Sequence, residues 1–72
     1  MHTREQVLEM LQSELQIPDL STDVEFRELP LWSSLTALLL LSRIREEFKV
    51  VIHSSDLSGL LTIQDIIDFI LK

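Results

Sequence analysis

Ser33-Ser34-Leu35-Thr36-Ala37-Leu38-Leu39-Leu40-Leu41-Ser42-Arg43-Ile44-Arg45-Glu46-Glu47-Phe48 is the stretch that decides how this chain folds. Within it Leu35, Leu38, Leu39, Leu41, Ile44 and Phe48 recur at helical spacing before and through a charged end. They cover more than one face, and a helix apolar over so wide an arc is normally central. The sequence therefore predicts a central helix that begins at the serine pair and ends near Phe48. Beyond it, Val50, Val51 and Ile52 are β-branched neighbours that disfavour helix slightly and read equally well as an extended connector.

Upstream, residues 16–32 hold two prolines, Ser21, Thr22 and acidic side chains, with Val24, Phe26, Leu29, Leu31 and Trp32 spaced widely among them. The pattern is that of a loop pinned to a core, although its length argues against an up-and-down bundle with short turns. A strand over Val24 to Leu29 is rejected, because no partner strand is visible elsewhere. Ahead of the loop, Thr3 and Gln6 have the spacing of a capping box. Val7, Leu8, Leu11 and Leu15 then share one face, predicting a helix over about residues 3 to 15, with Pro18 blocking any continuation. Downstream, Ser54, Ser55 and Asp56 offer caps for a short helix through Leu57 that Gly59 can end. Thr62 and Asp65 repeat the capping spacing, and Ile63, Ile66, Ile67, Ile70 and Leu71 form the stripe of a last helix.

The chain has 72 residues, 46% of them hydrophobic, and a formal net charge of -6. That describes one small domain, 1–72, with enough apolar content to fold and too little bulk to enclose a deep active site. Having no cysteine, it has no disulfides, thiolate nucleophiles or cysteine zinc sites, so helix packing must supply the stability. Twelve acidic against six scattered basic residues argue against a nucleic acid partner and weakly favour basic protein surfaces. The apolar run Ala37 to Leu41 is far too short for a transmembrane segment, which needs about 20 residues. Met1 to Gln6 does not resemble a secretory signal, so a cytoplasmic location is expected.

No catalytic set emerges, and the chain is expected not to be an enzyme. His2 stands at a terminus expected to fray. His53 with Asp56 supplies two metal ligands where a site needs three or four, which leaves His53 a solvated loop residue and no metal expected. Glu46 and Glu47 are adjacent on a helix, point in different directions and read as a solvated acidic patch. A single glycine rules out a glycine-rich phosphate loop. What remains is Ser33 and Ser34 at a helix N-terminus, where unpaired amides and the helix dipole would stabilise an attached phosphate by about 0.3 to 1 kcal/mol. The plainer reading is that one of them only caps the helix.

The stretch Phe26-Arg27-Glu28-Leu29-Pro30-Leu31-Trp32-Ser33-Ser34-Leu35 resembles the attachment segment of acyl carrier proteins, in which a Phe precedes a loop ending in Asp-Ser-Leu. Glu46-Glu47-Phe48-Lys49-Val50 with Ile52, then Asp56-Leu57, then Thr62 through Ile70 follow that family's order and spacing over nearly the whole chain. The resemblance implies an all-α fold, an acyl-carrier-like four-helix bundle with a long first loop and a short third helix. It also implies that Phe26 and Leu29 anchor the loop, that Ser33 caps the central helix and that Ser34 bears a covalent 4'-phosphopantetheine arm. A phosphopantetheinyl transferase would donate the arm from coenzyme A with Mg²⁺. The phosphoprotein so formed would carry acyl groups as thioesters in fatty-acid, polyketide-like or related biosynthesis, as a monomer served by acyl-transfer or synthase enzymes with basic docking surfaces.

This sequence departs from the family where the usual Gly and Asp before the serine are replaced around Leu31, Trp32 and Ser33. It departs again two and five residues after Ser34, where family carboxylates are Thr36 and Leu39. Partner contact would then fall to Glu28, Glu46, Glu47 and Asp56, with Trp32 and Leu35 as apolar contacts. Trp32 reads equally as an interface residue or as one packed against the loop. The departures keep two alternatives open: an unmodified helical interaction module with the carrier fold, and an aminoacyl or peptidyl carrier.

Overall fold

Thr3 opens the first helix, α1 (Arg4–Leu15), by the reciprocal bonds its spacing predicts. Its hydroxyl accepts from the Gln6 amide at 3.2 Å, and the Gln6 side chain accepts from the Thr3 amide at 3.0 Å. The computed structural model describes residues 2–72, so Met1 of the polar start lies outside the described residues. Val7, Met10, Leu11 and Leu15 bury one face of α1, while Leu8 stays half-buried. The helix stops before Pro18 is reached. Gln16 turns left-handed at φ 59°, and the Gln16 and Ile17 amides donate back to Ser13 and Gln12 carbonyls. Glycine usually supplies this conformation, so the residue type gives no warning of it.

The central run forms α2 (Ser34–Phe48), capped by Ser33 and closed by left-handed Lys49. Its wide apolar arc is only partly buried, contrary to expectation. Leu40, Ile44 and Phe48 reach the core, Ala37 and Leu41 are half-buried, and Leu35, Leu38 and Leu39 are exposed. α2 is thus a side wall rather than a centre, and Leu40, absent from the set read off the sequence, is fully buried. The central position belongs to α1, which packs against both α2 and the last helix.

After left-handed Lys49 the chain runs without helix or strand through Val50, Val51 and the buried Ile52 to the extended His53, which leads to the short α3 (Ser54–Ser58). His53, rather than a serine, is the cap position of α3, and its amide donates to the Asp56 carboxylate at 3.1 Å. Gly59 ends α3 in an ordinary right-handed conformation, φ −87°. The last helix, α4 (Ile63–Ile70), carries the second complete capping box, Thr62 with Asp65, and buries Ile63, Ile66, Ile67 and Ile70. His2, expected to fray, instead packs edge-on against Phe48 with ring centroids 4.7 Å apart.

The long loop is pinned by buried Phe26 and half-buried Val24, Leu29 and Trp32, with Leu20, not read from the sequence, also buried; Leu31, read with them, is exposed. Its carbonyls do a second job. Val24 and Thr22 accept from the Ile63 and Gln64 amides at 3.0 and 2.8 Å, which satisfies two of the donors a helix start leaves unpaired. The Phe26 amide donates to the Leu61 carbonyl at 3.3 Å, and Glu25 forms an isolated antiparallel bridge with Thr62. The partner that a Val24–Leu29 strand lacked is therefore the approach to α4, though one bridge does not make a strand. Residues Phe26–Glu28 close into a 3₁₀ turn. On the rim, Arg4 reaches Asp68 and Gln64 of α4, and Arg43 pairs with Glu14 and Glu47 at 3.1 and 3.3 Å.

Candidate functional site

Two serines stand at the head of α2, and their backbones give them different chemistry. Ser33 is extended, φ −155° and ψ 173°, so its hydroxyl turns back over the helix and accepts from the Thr36 amide at 3.2 Å. Its oxygen also lies 3.1 Å from the Thr36 hydroxyl, which donates onward to the Leu31 carbonyl at 2.9 Å. Because the Thr36 proton goes to Leu31, Ser33 must be the donor in that pair. Its proton and one lone pair are both engaged. Ser34, the first residue of helical geometry, is exposed, and its hydroxyl has no hydrogen-bond partner among the described residues.

The surroundings of Ser34 suit an anion. The Thr36 amide is satisfied by Ser33 and the Ala37 amide by the Ser33 carbonyl at 2.9 Å, while the Ser34 and Leu35 amides find no acceptor among the described residues. Those two donors and the positive end of the α2 dipole would favour a negative group attached at Ser34. An open cleft of about 430 Å³ begins here, between the start of α2 and α3, with Arg27, Trp32, Ser34, Ala37, Ser54 and Leu57 on its walls.

Arg27 is the residue that sequence reasoning missed, having counted only as a scattered cation. Its guanidinium donates to the Leu57 and Leu60 carbonyls, each at 2.7 Å, and lies 4.6 Å from the Phe26 ring centroid. It straps the end of α3 to the loop and sets a fixed positive charge in the cleft wall. Its partners are main-chain carbonyls 30 and 33 residues away, which no local pattern marks.

Trp32 combines the two roles read for it. It is half-buried, with its ring tilted against Phe26 at a centroid distance of 4.9 Å, and it also borders the cleft beside Ser34. Leu35 is exposed next to Ser34. The acidic residues are not gathered there. Glu28 is exposed on the 3₁₀ turn, but Glu46 and Glu47 lie about 18 to 20 Å down α2 from Ser34 at the rise of a helix. Glu47 is paired with Arg43, and Asp56 is half-buried with its carboxylate on the His53 amide. His53 and Asp56 thus meet through the main chain, and no cluster of three or more metal-binding side chains forms among the described residues. No helix among them is long and apolar enough to cross a membrane.

A serine hydroxyl left free beside unpaired amides fits esterification by a phosphate-bearing group. The sequence model of the family described as the phosphopantetheine attachment site matches residues 5–70. No curated protein matches the chain.

Proposed function

From the premise that this chain belongs to the phosphopantetheine attachment-site family and is a carrier of covalent 4'-phosphopantetheine, we propose that Ser34 is the residue that takes the arm. The observation that carries this reading is the contrast between neighbours: the Ser33 hydroxyl both donates and accepts within the helix cap, and the Ser34 hydroxyl is exposed and unbonded. In the transfer, the Ser34 oxygen bonds to the phosphorus next to the pantetheine of coenzyme A. The phosphoanhydride bond breaks, adenosine 3',5'-bisphosphate leaves with its electron pair, and the hydroxyl proton passes to a base of the transferase. The Ser34 and Leu35 amides, the α2 dipole and Arg27 then face the resulting phosphodiester.

The arm, once attached, supplies the thiol on which an acyl group is held. The protein's own part is to hold the ester at a fixed helix start, beside a cleft bordered by Trp32 and Leu57. It is the transferase's substrate and the cargo enzymes' partner rather than a catalyst. In this reading residues 1–72 form one cytoplasmic carrier domain, monomeric and serving fatty-acid, polyketide-like or related biosynthesis.

The test is the intact mass after incubation with coenzyme A, Mg²⁺ and a broad-specificity phosphopantetheinyl transferase. One arm should add to the wild type and to Ser33→Ala, and none to Ser34→Ala. An addition that survives Ser34→Ala overturns the assignment, and no addition to the wild type favours an unmodified interaction module.

A further inference from the structure

Thr36 holds the first serine of the pair from two sides. Its amide donates to the Ser33 hydroxyl at 3.2 Å, and its own hydroxyl oxygen lies 3.1 Å from the same atom. A hydroxyl has one proton to give. That of Thr36 goes to the Leu31 carbonyl at 2.9 Å, so the chain runs one way, from Ser33 through Thr36 to a main-chain acceptor that has no proton to return. The acceptor is itself held in place. Next to Leu31, the Trp32 amide donates to the Leu29 carbonyl at 3.0 Å and the Trp32 ring lies 4.9 Å from that of buried Phe26, which fixes the loop against the core.

We propose that Thr36 is the positioning residue that confines the phosphopantetheine arm to Ser34, by keeping the proton and one lone pair of Ser33 out of the transferase's reach. The proposal rests on the reading of Ser34 as the attachment residue. The two serines are neighbours and both are exposed, so neither residue type nor burial selects between them. Hydrogen bonding does. At either oxygen the reaction is the same: an O–P bond forms, the phosphoanhydride bond of coenzyme A breaks, adenosine 3',5'-bisphosphate leaves with its electron pair, and the hydroxyl proton goes to a base of the transferase.

Ser34 meets these conditions as it stands, with its hydroxyl unbonded among the described residues. Ser33 meets them only after its proton leaves Thr36, and turning its oxygen outward also gives up the cap on the Thr36 amide. Thr36→Val separates these two restraints. It keeps a branched side chain and the amide, and removes only the acceptor of the Ser33 proton. One such hydrogen bond, at the upper end of its net worth, is a factor of about ten.

The experiment loads the full chain with coenzyme A, Mg²⁺ and a broad-specificity phosphopantetheinyl transferase and locates the arm by fragmenting the intact protein. In the Ser34→Ala background, under conditions that load the parent fully, Thr36 should hold the loaded fraction below about 1%, and Thr36→Val should raise it to about 10%, all of it on Ser33. Thr36→Ser, which keeps the hydroxyl, should restore the low value. A loss of helix stability alone would slow loading at Ser34 without sending the arm to Ser33. The claim is overturned if Ser34→Ala with Thr36→Val stays unloaded, if Thr36→Ser behaves as Thr36→Val, or if the arm lands on a third residue. Hα–Hβ couplings read by NMR on the unmodified parent test the same lock without any transferase. Ser33 and Thr36 should each occupy one staggered rotamer, and averaging at either overturns the claim even where Thr36→Val fails to fold. If the Ser34-bearing chain takes no arm, the attachment reading falls, whereas single rotamers at Ser33 and Thr36 leave the lock standing.

Discussion

Ser33 and Ser34 are identical side chains one position apart, and backbone angle alone separates them. An extended residue directs its hydroxyl over the first turn, where the Thr36 amide waits, while the first helical residue directs its hydroxyl outward. The sequence could name the pair and supply a family register. It could not show that Thr36 completes a chain from Ser33 to the Leu31 carbonyl, because that needs the loop folded back on the helix. Gly59 illustrates the opposite case, a residue whose type suggested more than its position uses. It sits in a right-handed conformation at φ −87°, and an added Cβ would come no nearer than 3.5 Å to the Asp56 carbonyl. Gly59→Ala should therefore stabilise the fold by about 0.4 to 1 kcal/mol through the unfolded chain, visible as a higher urea midpoint. A lower midpoint would mean that the site needs glycine after all.

At the scale of elements, the two complete capping boxes were legible because both halves of each bond lie within four residues. The box of α4 also sets a pH dependence. Asp65 accepts from the Thr62 and Leu61 amides, both at 3.0 Å, and these bonds hold its carboxyl below the ordinary aspartate range, against a small opposing effect of burial. In acid the unfolded chain takes up this proton first, so unfolding is favoured as pH falls. The stabilisation is whole above the ordinary aspartate range and is lost as pH drops through the lowered folded value. Urea midpoints taken across the acid range should fall less steeply in Asp65→Asn than in the wild type. α3 has only half of such a box, the His53 amide on the Asp56 carboxylate. Its carbonyl end is held by Arg27, and Arg27→Met should lower stability by about 1 kcal/mol and speed amide exchange in α3 ahead of the other helices. Exchange in α3 unchanged by that substitution would show the strap to be idle.

At the scale of the molecule, the error worth explaining is α2. Its sequence is apolar nearly all round, and periodicity could not say which leucines face inward, because Leu38, Leu39, Leu40 and Leu41 offer every direction. Leu40→Ala should cost about 2 to 5 kcal/mol, as for a filled core position. Leu38→Ala should stay within about 0.5 kcal/mol. Denaturant unfolding of the two variants distinguishes a side-wall helix from a central one, since a central helix would make their losses similar. Sequence alone determined the helical class, the order of four helices, the caps at Thr3 and Thr62, the pinned loop and the serine pair. Each of these depends on residues close in the chain or on the register of a whole family. Only the tertiary structure decided that α1 is the centre, that Val24 and Thr22 complete the start of α4, that Arg27 straps α3 and that three leucines of α2 remain in water. Those features arise from contacts between segments far apart in sequence, and a run that is apolar on every side carries no sign of which side will meet a neighbour.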